Sequence, residues 1–526
     1  MTLPPASSFS ERRLLAGSLA GGLLHYLFFC DRSWGISFPL FVLAFYLLLL
    51  WTAGTGIREL RSDRSSIWLL PIGLLSLTYA LYTNPVFAVL NALAIPLLIV
   101  QHTTTAYRAD RPPNPLASLL EQVLVQSLLY VPRPAALVFG WLSSLLGKGS
   151  SRAFGKVLLG FLLAAPLLGA VLWLLASADA MFSRSIRLLP DLLNGVDVFT
   201  AVMRILWVLF IMTGLFAYIA GLLRPKLMPS AYRGQEEQSS AGGSRPPETG
   251  SDSSAPAAWD PGPPAAYVRP RTAAPRMDAT VAATMLILLN SVYLLFVFIQ
   301  FSYFFGGGAA ELPEGVTYAA YARRGFAELV VVTLINLSVL VGALYGIKRP
   351  SPPAWTWLRA LLALLVGCTG VMLSSAYIRL SMYEEAYGYT IARLLVHAFM
   401  IFLLVLFILA LVKLWSDRLP LGRSYLIAAV ASYIIVNYIG IDAMIVKNNV
   451  VRYEQTGVLD ADYLSSLGYE AVPHLLELNR RRPEAAGEAL QEFRSRLEKK
   501  SPPAWTEFNL SKWRAWRDLQ AEAATS

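Results

Sequence analysis

Apolar runs of about 17 to 25 residues recur along this chain, and a helix of that length crosses a bilayer. Hydrocarbon offers the backbone no water, so each run must close its amide hydrogen bonds on itself as a helix. The chain therefore reads as all-α, a polytopic transmembrane helix bundle of about eleven spans. Composition agrees. Charged residues make up 15% of the chain against roughly 25% in a soluble domain, and the mean hydropathy is +0.51. A net charge of +10 could point to nucleic acid. Here the basic residues lie mostly between the apolar runs, which makes them topology signals and contacts for anionic lipid in the bilayer, with no nucleic-acid partner.

The spans are expected at 14–30, 36–53, 67–82, 85–101, 157–177, 199–223, 281–305, 326–345, 355–386, 390–415 and 425–446. Glu11-Arg12-Arg13 before the first run resembles the start of a signal peptide, but no small-x-small cleavage site follows and the next span begins at once, so it is read as an uncleaved helix. Thr83-Asn84 is a turn short enough to force antiparallel neighbours. Residues 115–147 carry two weaker helical patterns, broken by Pro132 and Pro134. They either lie in the membrane interface or pack on the cytoplasmic ends of the bundle. Residues 224–278 are rich in Pro, Gly, Ser and Ala and read as a disordered cytoplasmic linker. It separates a first membrane block, 1–223, from a second, 279–446. The tail, 447–526, shows short helical patterns at 459–467, 472–479 and 483–500 and reads as a small helical extracytoplasmic domain. Lys and Arg concentrate in connections that place the N-terminus in the cytoplasm and, after eleven spans, the C-terminus outside a bacterial inner membrane.

Neither a metal nor a cofactor is implied. Cys30 and Cys368 stand too far apart for a CxxC pair, and His25, His102, His397 and His474 have no metal spacing. A phosphate-binding glycine loop, a GxSxG elbow and an HExxH helix are all missing from the sequence. The densest chemistry lies in residues 377–397, YIRLSMYEEAYGYTIARLLVH, which joins two spans. On a helix Arg379, Tyr383 and Tyr387 share one face. Gly388 can end that helix in the left-handed region, Thr390 can cap the next, and Arg393 and His397 stand four apart on it. With Glu384 and Glu385 these charges lie at a membrane boundary, where ionised groups mark functional sites. The same outward level receives Asp179, Arg184, Arg187 and Arg204, then Arg323, Arg324 and Glu328, then Asn437 and Asp442. Two readings are open: an outward-facing polar pocket in the second block, or an ion-pair network that locks helix ends.

Four stretches carry a family resemblance: ASADAMF at 176–182, GVTYAAYARRGFAELVVVT at 315–333, RLSMYEEAYGYTIARL at 379–394, and DAMIVKNNVVRYEQTGVLDADYLSSL at 442–467. Together they resemble the bacterial domain of unknown function 4173 group, related to the 4153 group. Tyr389 stands where that family more often has Leu, and Glu470 where it often has Asp. The resemblance implies an integral membrane protein of a bacterium and no known activity. The leading functional expectation is a non-enzymatic protein that binds or senses an envelope component, or supports an envelope complex. The alternatives are transport of a small solute or ion, and an intramembrane transferase for a lipid-linked substrate, with Glu384 or Glu385 as base and arginines on phosphate.

Overall fold

A computed structural model describes residues 10–56, 66–108, 115–145, 198–225, 277–305, 326–347, 351–416, 418–498 and 504–524. The expected span at 157–177, most of the expected linker, and Asp179, Arg184, Arg187, Arg323 and Arg324 lie outside these residues. Among the described residues the named elements are helical, and extended backbone pairs only in an isolated bridge between Met277 and Ile347. Seven of these helices are long and apolar enough to cross a membrane, or eight if a bent pair counts as one span. The protein is an all-α polytopic membrane bundle.

The chain divides into two compact units, one made of residues 1–226 and 430–526 and the other of 227–429. The first unit holds α1 (Glu11–Phe29), α2 (Ser37–Ala53), α3 (Leu69–Leu81), α4 (Pro85–Tyr107), α5 (Pro115–Leu120), α6 (Arg133–Leu145) and α7 (Val198–Leu223). Between α5 and α6 a π-turn over Glu121–Gln126 and a 3-10 turn over Leu128–Tyr130 keep the backbone helical. That run, expected as two separate pieces, is long and apolar enough from Ser118 to Trp141 to span. Leu14, Leu49, Leu75, Ile95 and Phe216 form the core. Polar side chains pin it. Asn91 donates to Thr78 Oγ1 (2.9 Å) and Asn437 Oδ1 (2.7 Å) and accepts from Tyr433 (2.6 Å). Tyr46 pairs with His102 Nδ1 at 2.9 Å, and Arg108 reaches Glu121 at 2.7 Å. Unmatched, each such group would be costly to bury.

In the second unit lie α8 (Ala279–Phe305), α9 (Phe326–Gly346), α10 (Pro352–Tyr387) and α11 (Ile391–Trp415). Their outward faces are apolar, with Leu288, Phe298 and Ile335 exposed as lipid-facing side chains must be. Inside, Asn336 accepts from Tyr293 (2.7 Å) and donates to Thr369 (2.9 Å), tying α8, α9 and α10 together. α10 has 36 residues, about 54 Å at 1.5 Å per residue. Even tilted by 40° it would reach about 41 Å, against roughly 30 Å of hydrocarbon. Its apolar part comes first, so the end bearing Arg379, Glu384 and Glu385 emerges at the membrane surface.

α12 (Leu421–Tyr438) leads from the second unit into the first. Hydropathy reads one unbroken span through to about residue 446, but the helix is not continuous over it. The helix stops, and α13 (Ile441–Thr456) leaves at 57°. Gly440, at φ +72°, makes the break. Residues with a Cβ pay roughly 1–2 kcal/mol in that region. α13 carries Asp442, Lys447, Asn448, Asn449, Arg452 and Glu454, a composition for the aqueous side of the boundary. Then come α14 (Ala461–Ser465), α15 (Val472–Arg481), α16 (Pro483–Glu498) and α17 (Leu510–Ala523), packed around Leu476, Leu490 and Phe493.

Gly440→Ala should lower stability by about 1–2 kcal/mol. Thermal midpoints in detergent check this, with Gly422→Ala, a helical position where a Cβ meets nothing within 4 Å, as the control that should hold or gain stability.

Candidate functional site

Two polar centres stand out, one in each unit. In the second unit Gly388, at φ +86°, ends α10, and its amide donates to the Glu384 carbonyl at 2.7 Å. Its ψ of 164° puts it outside the left-handed helical region expected from the sequence. Thr390 takes the N-cap position of α11 without a side-chain cap bond. The tight turn sets His397 of α11 against α10. His397 Nδ1 lies 3.3 Å from Glu384 Oε2. Its Nε2 lies 3.4 Å from Ser381 Oγ and 3.3 Å from the Tyr377 carbonyl. The Tyr377 ring covers the imidazole, with centroids 4.3 Å apart. Glu384 is 3% exposed, yet its Oε1 has no hydrogen-bond partner among the described residues. Beside it Arg393 lies over the Tyr383 ring at 4.4 Å and donates to the Gly388 carbonyl, and Tyr383 packs on Tyr387 at 4.8 Å.

The first unit joins the α3–α4 turn to the tail. Asn84 caps α4, accepting from the amides of Val86 (3.0 Å) and Phe87 (3.1 Å), ahead of Pro85 at the first helical position. Its Nδ2 donates to Asp442 Oδ1 at 2.8 Å, and the Gly468 amide donates to Asp442 Oδ2 at 3.0 Å. Glu470 accepts from the Thr83 amide (2.6 Å) and hydroxyl (2.8 Å), while the Tyr469 amide donates to Thr83 Oγ1 at 2.7 Å. A Cβ on Gly468 would stand within 3 Å of Asp442 Oδ2, Glu470 Oε2 and Thr83 Oγ1, so only glycine lets the two carboxylates close on this point. Further along, Asn509 donates to the carbonyls of Tyr79 and Tyr82 (2.8 Å each) and Ser511 to that of Leu81 (2.7 Å). These are the last carbonyls of α3, which helix geometry leaves open. A cavity of about 550 Å³ in the same unit is lined mostly by apolar groups, among them Phe29, Trp34, Phe38, Phe41 and Trp207, with His25 also on its wall; it suits a hydrocarbon chain.

The residues expected to share one pocket thus divide. Arg379, Tyr383, Glu384, Glu385, Tyr387 and Arg393 belong to the second unit, where Glu384, Tyr383, Tyr387 and Arg393 gather at the α10–α11 turn. Arg379 is half-buried and Glu385 exposed on the same helix end. Glu328 is exposed in the first turn of α9. Asn437 and Asp442 belong to the first unit, Asn437 bonded to Asn91 within the core and Asp442 at the tail junction. Arg204, also there, pairs with Asp31 at 3.4 Å. Sequence reasoning left Ser381 and His397 out of the site, though the i, i+3 spacing of Ser381 and Glu384 puts both on one helical face. Thr83, Gly468 and Glu470 carried no comparable signal.

The family profile of the domain of unknown function 4153 matches residues 69–478. The chain belongs to the DUF4153 family. Of the two related groups that the motifs resemble, this is the one that matches. No curated protein and no solved structure matches the chain. The DUF4153 region takes in both polar centres and ends within α15.

Asp442 is held away from its ordinary titration range at the tail junction. Burial pushes its carboxyl up to about 6 from an ordinary 3.8, Glu470 adds to the rise, and the bonds from Gly468 and Asn84 oppose it. A folded pKa above the unfolded one favours the protonated form. The stabilising effect of protonation is full below about pH 4 and is lost as pH rises through 6. Relative to Asp442→Asn, the native protein should gain roughly 1 kcal/mol between pH 7 and pH 5. Thermal midpoints of the pair at both values would expose a gap that stays constant. Gly468→Ala should cost about 1–3 kcal/mol by overpacking and speed proteolytic release of the tail; an unchanged digestion rate would contradict the crowding described above.

Proposed function

We propose that this chain is a multi-pass protein of a bacterial cell membrane, N-terminus inside and tail outside, that binds an amphiphilic envelope component at headgroup depth. The binding centre is the α10–α11 turn. One observation carries this reading: Glu384 is buried with a carboxylate oxygen that no described residue satisfies. A buried acceptor of that kind calls for a donor from outside, such as an ammonium or hydroxyl. Arg393, set over the Tyr383 ring, and Arg379 supply positive charge for a phosphate. Amine and phosphate together describe an aminophospholipid headgroup. The position at the emerging end of α10 puts the centre where headgroups lie. This refines the expected binding or sensing role and names its ligand class.

The break at Gly440, with Asn437 and Asp442 on either side, favours a second reading, transport, because broken helices expose backbone for ion binding. It is the weaker one: Asn437 and Asp442 are already engaged by Asn91, Asn84 and Gly468.

The test is thermal stability in nanodiscs. Phosphatidylethanolamine should raise the midpoint above that in phosphatidylcholine, whose methylated amine donates no hydrogen bond, and Glu384→Gln should remove most of the difference. Equal midpoints in the two lipids would overturn the reading.

A further inference from the structure

Both nitrogens of His397 are spoken for, and by different chemistry. Nδ1 faces the buried carboxylate of Glu384 at 3.3 Å. Nε2 faces the hydroxyl of Ser381 at 3.4 Å, with the Tyr377 carbonyl beside it at 3.3 Å. Carboxylate, imidazole and hydroxyl in that order form the relay that turns a serine into a nucleophile: the carboxylate fixes the Nδ1–H tautomer, and Nε2 is left as the base. Such contacts are commonly looser before substrate binds.

We propose that Ser381, His397 and Glu384 form a nucleophilic centre that cleaves carboxylic esters of membrane amphiphiles. Ser381 and His397 are the catalytic residues, and Glu384 is a positioning residue. The substrate class rests on the lipid-binding reading above: the centre lies at the emerging end of α10, and the ester linkages of lipids lie just beneath their headgroups. Ser381 Oγ attacks the ester carbonyl carbon, its proton passes to His397 Nε2, and the carbonyl π pair moves onto oxygen. As the C–O bond to the alcohol breaks, His397 returns that proton to the departing alcohol. Water, the co-reactant, then attacks the acyl-serine by the same path and releases the fatty acid. The sum is ester and water to acid and alcohol. The Ser381 hydroxyl also lies 3.1 Å from the Tyr377 carbonyl, the ordinary back-bond of a helical serine. Its proton therefore has two acceptors, and rotation about one bond selects His397.

A fluorophosphonate probe tests this on the full chain in detergent, with the adduct mapped by mass spectrometry. The expected result is a single adduct on Ser381, absent in Ser381→Ala and retained in Ser374→Ala, a serine of the same helix back-bonded to the Gly370 carbonyl. Labelling should slow at least 100-fold in His397→Gln. Glu384→Gln should slow it and change its pH profile, with Glu384→Asp restoring part of the rate; a purely structural Glu384 would leave the profile of the folded fraction unchanged. An unlabelled native protein, or equal labelling of Ser381→Ala, overturns the proposal without relying on any variant that folds poorly. The small probe needs no headgroup, so the two readings fail separately. A lipid-dependent midpoint without labelling keeps the binding centre and removes the nucleophile. Labelling without a lipid effect does the reverse.

Discussion

A polar group in this protein must find its partner inside the protein, because the surrounding hydrocarbon offers none. That constraint selects helices first, and then decides which helices touch. Asn91 joins α3, α4 and α12 through Thr78, Tyr433 and Asn437. Asn336 joins α8, α9 and α10 in the same way. Apolar packing alone is weakly directional against lipid; these amides supply the register. A Leu in either place would raise the hydropathy and lose the specification.

The constraint also explains where chemistry collects. α10 outruns the membrane, so its last turns carry charge that the middle of the helix could not. The sharp turn at Gly388 then brings α11 back alongside, and His397 meets Ser381 and Glu384 across the hairpin. In the other unit the break at Gly440 lets Asp442 meet Asn84 and the Gly468 amide. Each centre sits where a helix ends or bends, which is where backbone and side chains regain polar surroundings.

Much of the architecture was legible in the sequence because hydropathy reports length, and length is what a span requires. The helix over 377–387 with Arg379, Tyr383 and Tyr387 on one face follows from i, i+4 spacing, and its end from Gly388; the packing of Arg393 on Tyr383 across the turn does not. The break in α12 was not legible: Ile439 and Ile441 flank Gly440, and apolar neighbours on both sides hide a backbone that has changed hand. The relay at His397 depends on the rotation of α11 against α10, which a pattern along either helix alone does not encode. Nor does local spacing join Thr83 to Glu470, 387 positions away.

That last separation has a consequence for biogenesis. Synthesis runs from the N-terminus, so the α3–α4 turn is made long before Glu470, Asn509 and Ser511 leave the ribosome. Until they do, the final carbonyls of α3 and the Thr83 amide lack the partners they hold in the finished fold, and closing so large a loop is a late and slow event. A chain cut short after α12 would therefore insert its first helices and still carry an unfinished turn at its surface, a mark by which proteases could tell a truncated product from a complete one.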